Sequence, residues 1–171
     1  MENKSQRQNK DVHIKEGTPW AFFDGASQNN RTGAGIVIHV NANHILKASV
    51  VLGTGSNNFA KMSALKLLLC WLIQRNIITI QIFGDSLNVI NWVNGKSSCN
   101  NQILKPLLEE IMVLKTSFNS FSLYHIYRDR NDSADKLSKD GLQQNLGSWK
   151  IVEENQGYIH TSDQPPHTCS Q

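Results

Sequence analysis

Two aspartates fall at the ends of apolar runs. Asp24 closes Trp20-Ala21-Phe22-Phe23, and Asp85 closes Ile78-Thr79-Ile80-Gln81-Ile82-Phe83-Gly84. An Asp placed before Gly25 is either a turn former or a functional carboxylate. Asp85 equally suits the first turn of a following helix, where its charge complements the macrodipole. Ligands of open α/β sheets bind beyond the strand ends, and two strand-end carboxylates fit that place. A third acid, Asp135, lies in Arg128-Asp129-Arg130-Asn131-Asp132-Ser133-Ala134-Asp135-Lys136-Leu137, where Lys139 is spaced for an i,i+4 ion pair. Lys61 heads the series Lys61, Leu65, Leu68, Leu72, which is one stripe of a helix. The apolar part of that stripe should face a sheet, setting Lys61 near the strand ends that carry Asp24 and Asp85. The alternative is a surface lysine whose stem lies along the helix. Early in a helix the cation also opposes the macrodipole, by ~0.3–1 kcal/mol.

The elements that would position these residues follow from periodicity and turn signals. Trp20 to Phe23 reads as a strand, Gly25 to Thr32 as turn residues, Gly33 to Val40 as a second strand, and His44 to Leu52 as a third after the turn Asn41 to Asn43. The longest helical pattern is Phe59 to Asn76, followed by a buried strand at Ile77 to Phe83. Ser86 to Asn94 and Ile103 to Phe118 read as helices. Phe121 to Tyr127 is a fifth strand, and Asn131 caps a last helix to about Leu142. The order βββαβααβα predicts an α/β fold: a five-stranded mixed sheet, with three antiparallel strands and then parallel ones, and helices on both faces.

The 171 residues suit one domain, with 39% hydrophobic and 18% charged residues, which excludes a disordered chain. A net charge of +3 is too mild to announce nucleic acid by itself. Three scattered cysteines (Cys70, Cys99, Cys169) exclude a disulfide framework or zinc cluster and point to a reducing, intracellular setting, cytoplasm or nucleus. The longest apolar run, Leu67 to Ile73, is far below the ~20 residues that span a bilayer, and the polar start is no secretory signal. The expected organisation is a flexible polar tail over 1–17, a domain over 18–146, and a largely disordered tail over 147–171. Trp149 and Ile151-Val152 would pin the start of that second tail. Trp71 and Trp92 sit at apolar helix positions and read as core.

Four motifs in order resemble the ribonuclease H type 1 family, in the style of its plant retroelement and reverse-transcriptase-type members. They are Asp24-Gly25-Ala26-Ser27 followed by Gly33-Ala34-Gly35; Asn57-Asn58 ahead of Ala60-x-x-x-Ala64-Leu65; Gly84-Asp85-Ser86; and His125-x-x-Arg128-x-x-Asn131-x-x-Ala134-Asp135-x-Leu137-Ser138. Together they cover about Trp20 to Gln144. The resemblance implies hydrolysis of the RNA strand of an RNA·DNA hybrid by two Mg²⁺ (or Mn²⁺) ions held by four carboxylates. Asp24, Asp85 and Asp135 would supply three of these. The fourth, a helix Glu, is absent: its position is Lys61. The resemblance further implies that Gly25, Ala26 and Ser27 face the RNA and its 2′-hydroxyls, that Asn30, Asn57 and Asn58 contact the DNA strand, and that His125 assists product release. By residue type alone, Asn30 is a turn residue, Asn57 a helix cap and His125 a strand end. Arg128 and Arg130 are within reach of phosphate or are solvated loop charges.

The segment Gly95 to Gln102 is short, with Lys96 its single charge, so the basic Trp-rich protrusion of some relatives is missing and the grip on a duplex should be modest and salt-sensitive. The expectation is therefore a monomeric hybrid- or duplex-binding domain whose cleavage is weak or lost through Lys61. The alternative is an inactive, retroelement-derived module that binds nucleic acid or protein.

Overall fold

The computed structural model describes residues 13–166. In chain order the elements are β1 (Trp20–Gln28), β2 (Arg31–Asn41), β3 (His44–Leu52), α1 (Asn57–Gln74), β4 (Thr79–Gly84), α2 (Leu87–Val93), α3 (Leu104–Lys115), β5 (Ser120–His125), a 3₁₀ turn (Arg128–Arg130), α4 (Asp132–Gly141), β6 (Trp149–Asn155) and β7 (Tyr158–Ser162). The strands form one sheet in the order β5-β4-β1-β2-β3-β6-β7. β1 pairs parallel with β4, and β4 with β5; every other pairing is antiparallel.

The mixed sheet with helices on both faces agrees with the sequence reading, but it has seven strands rather than five. The two additional strands come from 149–162, expected as part of a loose tail. Trp149 is 3% exposed and packs edge-on against Trp71, with ring centroids 6.4 Å apart. Arg75, directly after α1, and His44 on β3 both reach Glu153 on β6, at 2.8 and 3.3 Å. The hairpin turns at Gln156 and Gly157, both with positive φ, which gives a two-residue turn matched to the twist of the strands. Most of the 1–17 tail, and the chain beyond 166, lie outside the described residues. Lys15 is described: its backbone exchanges hydrogen bonds with the side chain of Gln81 on β4, at 2.7 and 3.1 Å.

The stretch Gly25 to Thr32 is mostly strand, a second correction. β1 runs on to Gln28 and β2 starts at Arg31, leaving only Asn29 and Asn30 as the turn, both in the left-handed region that Asn tolerates. The small residues that resembled a loop are there for close approach. A Cβ on Gly25 would overlap the Ala60 carbonyl carbon and the Lys61 amide nitrogen of α1, and a Cβ on Gly35 would overlap the Ala134 carbonyl of α4. Each glycine lets a helix lie against the strand backbone.

α1 starts at Ser56, whose hydroxyl accepts the Phe59 N–H at 3.1 Å. Its face carrying Leu65, Leu68 and Leu72, all fully buried, lies in the core with Phe23, Ile36, Ile38 and Leu46 of the sheet. Each such leucine contributes ~1.5–3 kcal/mol by burial. Trp71 is in that core and Trp92 packs at its margin. Among the described residues, no helix is long and apolar enough to cross a membrane.

Candidate nucleic-acid interface

Asp24 lies within β1, 2% exposed, and Asp85 begins the turn after the parallel neighbour β4. The β1–β4 pairing therefore brings the two carboxylates to one place, although 61 positions separate them in the chain. Between them stands Lys61 from the start of α1. Its Nζ lies 2.5 Å from Asp24 Oδ1 and 2.9 Å from Asp85 Oδ1. The three side chains are 12%, 2% and 4% exposed, for Lys61, Asp24 and Asp85 respectively. The stripe argument thus holds, and Lys61 is a buried ion-pair partner rather than a surface lysine.

Backbone and amide donors add to these contacts. The Gly25 N–H donates to Asp24 Oδ1 at 2.8 Å. Asn131 Nδ2 donates to the Phe23 carbonyl at 2.9 Å and to Asp85 Oδ2 at 3.4 Å. Asn131 was expected to cap the last helix; it occupies the capping position but makes no capping hydrogen bond, and ties β1 to the β4 turn instead. Its Oδ1 is buried and unpartnered. Burial pushes the Asp24 carboxyl up to about 6, against the opposing pull of Lys61 and of the Gly25 amide, with Asp85 adding to the rise. Burial also opposes the Lys61 ammonium, but Asp24 and Asp85 together outweigh it and hold the amine above its ordinary range. Lys61 is therefore a fixed positive charge at neutral pH.

Asp135 is not in this cluster. It pairs with Lys139 one turn along α4, at 2.9 Å, the i,i+4 pairing its spacing allowed. A cavity of about 600 Å³ gathers Asp24, Ser27, Lys61, Arg128, Asp135 and Lys139 on its walls, with Gly25, Ala26 and Asn57 beside them. The Ser27 hydroxyl donates to the Gly55 carbonyl at 2.7 Å, and the Ser27 N–H to Asn57 Oδ1 at 3.0 Å. Asn57 thus braces β1 against α1, and Ser56 is the cap. Asn30 is exposed in the β1–β2 turn and, like Asn58, does not line the cavity. His125 ends β5 with its ring edge-on to Tyr127, 5.8 Å between centroids, and lies outside the cavity too.

Among the cavity residues that escaped the sequence reading are Arg31 and Gln143. The one available signal was a basic residue directly after a two-Asn turn. The bridging role of Asn131 left no signal beyond its place ahead of the last helix.

The donor set does not fit the two-cation cage that the resemblance implies. Divalent Mg²⁺ or Mn²⁺ needs several free oxygen ligands converging at ~2 Å. Here Asp24 Oδ1 and Asp85 Oδ1 are bound to an ammonium, Asp85 Oδ2 faces Asn131, and Asp135 Oδ2 faces Lys139. Among the described residues, no three His, Cys, Asp or Glu side chains are grouped to hold a metal ion. The expected ligands Asp24, Asp85 and Asp135 are distributed over two lysine-bound sites.

Comparison with known proteins bears on the fold and lineage. A family profile described as reverse transcriptase-like matches residues 22–141. Ribonuclease HI of Halobacterium salinarum is 27% identical over 125 residues, covering 71% of this chain; the chain spans 63% of the length of that protein. The crystal structure of RNase H1 from the same archaeon shares 29% identity at a TM-score of 0.69, covering 74% of this chain and 98% of the other. A structure of LC11-RNase H1 in complex with RNA/DNA hybrid has 22% identity and a TM-score of 0.67, covering 73% and 96% of the two chains; at that identity the likeness is one of fold. The profile spans most of the domain and the relatives share its architecture: the chain belongs to the reverse transcriptase-like family and carries an RNase H-like domain.

Proposed function

We propose that this domain binds RNA·DNA hybrid, or a duplex of similar shape, across the Asp24–Lys61–Arg128 cavity and does not cleave it at the rate of an intact ribonuclease H. The observation that carries this reading is the Lys61 ammonium seated 2.5 and 2.9 Å from Asp24 and Asp85. An ammonium about 4 Å from a divalent cation repels it by ~8 kcal/mol at an effective dielectric near 20, twice the unit-charge figure. Lys61 therefore removes a ligand and also charges the place a cation would need. It also supplies a shared counter-charge to the two buried aspartates, which supports the fold without a cation.

Support for the ligand class comes from the relatives, one of them seen with RNA/DNA hybrid, and from the chemistry of the walls. The Ser27 hydroxyl proton is committed to Gly55, which leaves the oxygen free to accept from a 2′-hydroxyl, the group that separates RNA from DNA. Arg128 is exposed at the rim, where it suits a backbone phosphate. Equilibrium binding of a fluorescent hybrid, with the DNA duplex of the same sequence as competitor, tests the reading. The expected result is saturable binding with the hybrid preferred, and absence of hybrid binding at low salt contradicts it.

A further inference from the structure

The walls of the same cavity carry Arg31, Lys61, Arg128 and Lys139 against Asp24 and Asp135, with Asp85 beneath Lys61. Cations thus outnumber acids, the reverse of what a divalent-cation site requires. Each acid is already bound to a lysine: Asp24 and Asp85 to Lys61, Asp135 to Lys139. An ammonium has three N–H donors. Lys61 gives one to each aspartate, and its third has no protein acceptor among the described residues. The positive end of the 18-residue helix α1 also meets the cavity, through Asn57.

We infer that the cavity is an anion site, in which the third N–H of Lys61, with Arg128 and Lys139, holds a phosphate oxygen of the nucleic-acid backbone directly, without a divalent cation. This deepens the hybrid-binding reading and rests on it for the identity of the larger ligand. The phosphate contact itself stands on the cavity. It gives Lys61 two jobs: serving as shared counter-charge to the buried aspartates, and offering its remaining donor to the cavity that it lines. The Arg31 guanidinium on the same wall donates to the Gln144 carbonyl, so it adds charge to the wall rather than the primary contact.

The test uses the full chain in buffer containing EDTA. Inorganic phosphate is titrated while backbone amide chemical shifts are followed, and hybrid affinity is then measured over a salt series with and without Mg²⁺. Saturable shifts at Gly25, Ser27 and Lys61 are expected, weakened in Lys139→Met and lost in Lys61→Met. Hybrid affinity should be the same with and without Mg²⁺. It should fall about tenfold in Lys61→Met, the loss of one charge-assisted hydrogen bond, and the salt slope should flatten by about one contact, ~0.9. Lys61→Arg should recover most of the affinity, whereas a lysine that merely neutralises the aspartates would leave the salt slope unchanged when replaced.

Phosphate that leaves the cavity amides unmoved in the unaltered chain overturns the inference, whether or not Lys61→Met folds. So does hybrid binding that appears only with Mg²⁺. Phosphate shifts that depend on Lys61, together with no hybrid binding, support the anion site and overturn the hybrid reading alone.

Discussion

One side chain sets the chemistry of this site. Lys61 joins two carboxylates that burial would otherwise leave without a counter-charge. Replacing it with Met removes one partner of a buried ionic cluster, which costs ~3–5 kcal/mol. The cost depends on pH. The folded Asp24 titrates near 6, above its ordinary 3.8, so its proton favours the folded chain. That contribution is complete below about 3.8 and is lost as pH rises through 6. Without Lys61 the folded value climbs further, and the loss extends to higher pH. Urea denaturation of Lys61→Met should therefore show a larger deficit against the parent at pH 8 than at pH 5, and an equal deficit at both would contradict the assigned charges. Lys61→Glu places three carboxylates together. It should lower the melting temperature in EDTA and recover it on adding Mn²⁺, through binding to the folded state, with heat of Mn²⁺ binding that the parent lacks. The residue scale was the most legible in the sequence, because a lysine heading a leucine stripe shares the face that the leucines turn to the sheet, although its long stem left a surface position open as well. The tie from Asn131 to Asp85 was illegible, since amide side chains cap, brace or bridge with equal ease.

At the scale of elements, the long helix and the β-branched strands were legible because their periodicities are strong and long. Misreading came where two causes give one composition. Gly25 looks like a turn residue, yet it is a strand position kept bare so that α1 can close on the sheet, as Gly33 and Gly35, read correctly as strand, are for α4. The β6–β7 hairpin was missed because β7 has no buried residue to set a pattern; it leans wholly on its pairing with β6. Trp149, foreseen as an anchor, holds the hairpin to the core. Trp149→Ala should destabilise by ~3–5 kcal/mol, whereas Tyr158→Ser, on a side chain 82% exposed, should stay within ~0.5 kcal/mol. Denaturation midpoints of the two variants check this, and equal effects would mean that the hairpin is not held through Trp149.

For the whole molecule, topology supplies what no local motif can. The parallel β1–β4 pairing carries Asp24 and Asp85 to one side of α1, and α4 folds over the other face of the sheet with its own ion pair. The modest overall charge of +3 says little of this, because the balance that matters lies in one cavity. The proposed reading is of an RNase H-like fold in which a lysine-held pair of aspartates stands in place of a cation site. Its most direct test is incubation of the chain with an end-labelled RNA·DNA hybrid in Mg²⁺ and, separately, Mn²⁺, alongside Lys61→Glu. The account predicts little or no product from the parent chain, with cleavage rising in the Glu variant; turnover by the parent at the rate of an intact ribonuclease H would contradict it.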